Sequence, residues 1–92
     1  MNINIREEAG TFAENKDKAA AMRERMLSTL KDGKEVTLDF EGVDGATQSF
    51  IHALLAKPMR ELSSAVLNRI EFMRCNDHVK AIISTVTDYL QE

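Results

Sequence analysis

Cys75 and His78 form a Cys-x-x-His pair, and His52 is the other histidine of the chain. Zinc takes three or four protein ligands, and no second pair completes a set, so this spacing predicts no metal site. A thiol beside an imidazole is also the pairing of a nucleophile and its base. Cys75, however, ends an apolar strand pattern, where a cysteine ordinarily serves as a small packing residue. The turn Glu41-Gly42-Val43-Asp44-Gly45 lies between a strand pattern and a helix pattern, the place of nucleotide-binding loops. It lacks the second half of either glycine fingerprint and the P-loop lysine, so a plain strand-to-helix turn is the expectation. An anion, nucleotide or other small molecule held at Gly42–Ser49 by the helix N-terminus is the alternative.

The carboxylates give no acid and base pair. Glu7, Glu8, Asp17, Glu24 and Asp32 fall in charged, solvated stretches, and nothing sets two of them together in an apolar pocket as tuned catalysis requires. Asp39 sits in the middle of a strand pattern. Its neighbours point inward, so it is expected on the opposite face, exposed or paired with Arg69. Thr47 precedes a helical stretch, where a hydroxyl caps the first turn. No catalytic, cofactor-binding or metal-binding residue is assigned.

Period-two and period-3.6 patterns give the elements that position these residues. Asn2–Ile5 alternates and predicts a first strand. Ala19, Met22, Met26 and Leu30 form one helical stripe, ended by Lys31-Asp32-Gly33-Lys34 with Gly33 in left-handed geometry. Glu35–Phe40 predicts a second strand with Val36, Leu38 and Phe40 on one face. Thr47–Ala56 predicts a helix limited by Pro58, and Met59–Leu67 suits helix or loop equally. Asn68–Arg74 predicts a third strand, with Ile70 and Phe72 inward. Val79, Ile82, Ile83, Val86 and Leu90 form the stripe of a last helix capped by Asn76.

Strand and helix alternate, which predicts an α/β fold with mainly parallel strands and right-handed crossovers. The strands alternate instead of reading as continuous apolar runs, so the helices are expected mostly on one sheet face. Thr37, Asp39, Arg69, Glu71 and Met73 fall on the other.

The 92 residues fit one domain, 1–92, with 43 % hydrophobic and 29 % charged residues. A net charge of −3 with mixed signs argues against nucleic acid and anionic membranes as partners. The single cysteine excludes an internal disulfide, the polar start does not read as a signal peptide, and a cytoplasmic protein is expected. No apolar run approaches the roughly 20 residues of a membrane span.

The segment Val36–Val43, followed by Ala46-Thr47-Gln48-Ser49-Phe50 and Ala53-Leu54-Leu55, resembles the central signature of the STAS domain, named for sulfate transporters and anti-sigma factor antagonists. It is most similar to the shorter STAS-like family of unknown function, with its "DF-GV … SF" centre. Lys18–Leu30 resembles the first helix of that family, and Leu67–Val86, with the Cys75-Asn76 junction, its last third. The resemblance implies a STAS-like βαβαβα fold, no enzymatic activity and no cofactor. It also implies a bacterial-type, anti-anti-sigma-like regulatory role, in which a histidine-kinase-like ATPase is the partner. That ATPase phosphorylates a serine at the start of the helix after the central strand. Here Thr47, Gln48, Ser49 and Phe50 align with the usual Asp-Ser-Ser-Gly, and Gln48 holds the acceptor position.

The partner-binding surface is accordingly expected at Asp44, Gly45, Thr47, Gln48 and Ser49, with Thr47 and Ser49 the hydroxyls open to phosphorylation. A three-stranded sheet with free edges and one uncovered face also predicts a homodimer.

Overall fold

The structure is a computed structural model and describes residues 1–91. In chain order it comprises β1 (Asn2–Asn4), α1 (Ile5–Ala9), β2 (Phe12–Ala13), α2 (Lys16–Lys31), β3 (Val36–Asp39) and β4 (Gly45–Ala46). There follow α3 (Gln48–Leu62), a 3-10 turn (Ser64–Arg69), β5 (Ile70–Met73) and α4 (Asp77–Leu90). The fold is α/β with parallel strands, as the alternating order of elements implied.

β1, β3 and β5 form a parallel sheet in that order, with β3 central. Its register sets Ile3, Leu38 and Phe72 in one row, and Asn4, Asp39 and Met73 in the next. Because successive side chains point to opposite faces, the first row faces the core and the second the open face. Ile3, Leu38, Val36 and Ile70 are buried in one cluster with Met22, Met26 and Leu30 of α2, Phe50 and Leu54 of α3, and Val79, Ile83 and Val86 of α4. Each such large apolar side chain contributes about 1.5–3 kcal/mol by leaving water. Phe72 packs against this cluster but is only half-buried.

Local chemistry accounts for the helix ends. Asn4, Asn15, Thr47 and Asn76 each accept a backbone N–H of the first turn with a side-chain oxygen, satisfying donors that have no helical partner. α2 ends in a Schellman motif. Gly33 N–H donates to Leu30 O at 3.0 Å and Lys34 N–H to Thr29 O at 3.2 Å, with Gly33 at φ 79°.

Five details depart from the sequence reading, the first being that the strand expected over Asn2–Ile5 stops at Asn4 and Ile5 begins α1. α3 does not stop before Pro58 but continues to Leu62, with Pro58 inside it. Proline removes the N–H that would bond Leu54 O, yet Leu54, Leu55, Pro58 and Met59 are all buried, and their packing holds the helix together. The third strand is shorter than Asn68–Arg74, because Asn68 and Arg69 complete the 3-10 turn. Arg69 does not pair with Asp39: its Nη1 donates to Leu30 O at 2.7 Å and Lys34 O at 3.2 Å, closing the C-terminal end of α2. The segment after β3 is more than a turn, since β4 pairs in parallel with β2 as a second, two-stranded sheet.

Candidate functional site

The second sheet fixes the turn after β3. Asp44 N–H donates to Thr11 O at 2.7 Å and Thr47 N–H to Ala13 O at 3.0 Å. From the other side, Asn76 Nδ2 donates to Val43 O at 3.3 Å and Asp44 O at 2.9 Å while Asn76 Oδ1 caps α4. One side chain thus ties the start of α4 to the turn that leads into α3. Gly45 allows the close approach: a Cβ there would lie 2.9 Å from Phe12 Cε1 and 3.2 Å from His78 Cδ2.

Of the five expected surface residues, Asp44, Gln48 and Ser49 are exposed, Thr47 is half-buried and Gly45 is buried. Gly45 therefore shapes the site through its backbone alone. Thr47 Oγ1 accepts from Phe50 N–H at 3.1 Å, so this hydroxyl is engaged as a helix cap. Ser49, the second residue of α3, is exposed.

Gln48 and Ser49 begin one wall of a groove of about 410 Å³. His52 and Ala53, the next turn of α3, continue that wall. Thr85, Val86 and Tyr89 of α4 form the opposite wall, and Lys16, the first residue of α2, also lines the groove. The Tyr89 ring lies 6.3 Å from the His52 ring at 55°, a tilted aromatic pair across the groove. Tyr89 is 65 % exposed, and Phe12, beside Gly45, is 49 % exposed. Lys16, Thr85 and Tyr89 did not emerge from the sequence reading, and His52 entered it only as a candidate metal ligand. The spacing of Gln48, Ser49 and His52 on one helical face was a usable signal, whereas the approach of α4 was not.

The other reactive side chains are placed elsewhere. Asp39, 8 % exposed, accepts from Arg74 Nε at 3.2 Å, Arg74 Nη2 at 2.5 Å and Glu41 N–H at 3.0 Å. The Arg74 guanidinium, helped by the Glu41 amide, holds its carboxyl below the usual carboxylate range. Cys75 is half-buried, and this burial pushes its thiol up despite the opposing pull of Lys80. A raised thiol is the reverse of an activated nucleophile. Among the described residues, no cluster of three or more His, Cys, Asp or Glu is placed to hold a metal ion.

Residues 18–80 match the model of the STAS-like domain of unknown function (DUF4325). The chain belongs to that family. The family match to this STAS-like domain spans α2 through the first turn of α4, and so includes the Asp44–Ser49 turn and the α3 wall of the groove. Lys16 and the α4 wall, with Tyr89, lie outside the matched residues. Comparison with curated proteins and with solved structures found no match. Among the described residues, no helix of this STAS-like domain is long and apolar enough to cross a membrane.

Proposed function

We propose that this STAS-like chain is a non-enzymatic interaction module of the cytoplasm that docks a regulatory protein partner on the start of α3 and the adjoining groove. The observation that carries this reading is the groove itself. Exposed polar residues of its α3 wall, Gln48 and Ser49, share the groove with the exposed aromatic ring of Tyr89, and Ala53 and Val86 add apolar surface to the two walls. Aromatic anchors within a polar surround are the composition of protein interfaces. The partner class that the family resemblance supplies is a histidine-kinase-like ATPase. Ser49 is the hydroxyl such an enzyme would reach, because Thr47 is engaged as a cap.

Small-molecule or anion binding is the second reading, and the groove size favours it, since ligand pockets run from about 300 to 1,000 Å³. Against an anion cradle at Gly42–Ser49, the Val43, Asp44, Gly45 and Thr47 N–H groups all donate to backbone carbonyls. Calorimetric titration separates the readings. The interaction module binds a histidine-kinase-like ATPase of the native host and gives no heat with nucleotides or phosphate. Saturable heat with a nucleotide alone transfers the groove to the second reading.

A further inference from the structure

β5 is an edge strand of the main sheet. In the row Ile3, Leu38, Phe72 the first two side chains are 0 % exposed, but Phe72 is half-buried. It borders a groove of about 340 Å³ that also touches Leu67, Cys75, Lys80 and Ile83. The inward apolar layer therefore stops one strand short of being covered.

The backbone of β5 is open at the same place. Phe40 N–H donates to Met73 O at 2.8 Å, which turns Met73 toward β3. The N–H and C=O of one residue share a side, and sides alternate along a strand. Glu71 and Met73 thus face β3, while Ile70 and Phe72 face outward. Ile70 N–H is engaged with Leu67 O. Among the described residues, Phe72 N–H and C=O and the Ile70 carbonyl remain on the free edge. Ile70-Glu71-Phe72-Met73 has no proline or lysine, two of the devices that keep an edge strand from pairing.

We propose that a second copy of this chain pairs antiparallel with β5 about a two-fold axis at Phe72, joining the two sheets into one of six strands. Opposed residues in an antiparallel pair share a face, which limits the registers. With the axis at Phe72, the two phenylalanines exchange both backbone bonds, each Glu71 opposes the other copy's Met73, and the second Phe72 ring covers the uncovered groove. With the axis at Glu71, two carboxylates face each other at the closest spacing, about 4.5 Å between Cα atoms, and Phe72 meets Ile70, whose N–H is taken. An axis at Ile70 loses that bond twice. An axis at Met73 sets Phe72 against Arg74, which leaves the strand at φ 55°. The Phe72 register alone pairs both backbone groups of Phe72 and keeps the carboxylates apart, its cost falling on the end pair, where Ile70 meets Arg74. This edge is distinct from the α3–α4 groove, so the inference stands apart from the docking reading.

The test is light scattering of the wild-type chain together with disulfide trapping in a Cys75→Ala background, whose fold is checked by circular dichroism. The wild-type protein is expected at twice its 10.3 kDa mass at micromolar concentration. Glu71→Cys with Met73→Cys is expected to cross-link into a dimer under mild oxidation, because their Cα separation of about 4.5 Å lies within disulfide reach. Glu71→Cys alone is expected to stay unlinked. A wild-type monomer throughout the micromolar range, or cross-linking by Glu71→Cys alone, overturns the proposal.

Discussion

Asp39 is the buried charged residue of the sheet, and its environment makes a pH prediction. Its carboxyl is held below the ordinary range, first by Arg74 and then by the Glu41 amide. A carboxyl with a lowered native pKa stabilises the fold at pH above the unfolded value, about 3.9, and loses that contribution as pH falls through the native value. Glu24 and Glu61 act in the same direction through Arg23 and Lys31. Asp39→Asn is therefore expected to lower the melting temperature at neutral pH and to flatten the acid limb, not abolish it. Melting curves from pH 2 to 7 check this, and parallel wild-type and variant limbs contradict it. Thr47 makes a second residue-scale prediction. Thr47→Ala removes the acceptor of Phe50 N–H and is expected to cost about 0.5–2 kcal/mol in urea unfolding, while Thr47→Ser stays close to wild type. The Asp39 partner was not legible because alternation fixes a face and not a neighbour; the choice of Arg74 over Arg69 depends on how the chain leaves β5.

At the scale of elements, the strongest patterns were the most readable. The stripes of α2 and α4, the alternation of β3 and the Gly33 stop all describe the fold as it stands. The misses have physical reasons. α1 and β2 are five and two residues long, too short for a period to show, although Asn4 followed by Glu7 is a capping pattern that could have marked α1. α3 passes through Pro58 because core packing outweighs a local preference. Two variants probe these elements. Leu38→Ala, at the centre of the sheet, is expected to cost about 2–5 kcal/mol by leaving a cavity. Arg69→Ala releases two carbonyls at the end of α2 and is expected to cost about 1.5–3 kcal/mol, the scale of hydrogen bonds from a charged donor. Chemical denaturation checks both, and an Arg69→Ala protein as stable as wild type contradicts the assigned tie.

At the scale of the whole molecule, alternation along the strands anticipated a sheet with one buried and one open face; of the five residues expected on the partner surface, Asp44, Gln48 and Ser49 are exposed, Thr47 is half-buried and Gly45 is buried. The groove was not legible, since it arises where α4 comes alongside α3 and brings Tyr89 opposite His52, a contact between segments far apart in the chain. The second sheet was equally hidden, because two-residue strands carry no pattern of their own. The second sheet and the Asn76 side chain tie down the turn that leads into the start of α3. Docking of a partner on this surface is the proposed function of the domain. Its most direct test is titration of a histidine-kinase-like ATPase of the native host with the wild-type chain and with Gln48→Arg, melting temperatures having been matched. An exposed change leaves stability within about 0.5 kcal/mol, whereas an unpaired charge buried in an interface costs several kcal/mol. The expected result is a loss of affinity of about a hundredfold or more, since 1.4 kcal/mol is tenfold; undiminished binding by the variant contradicts the account.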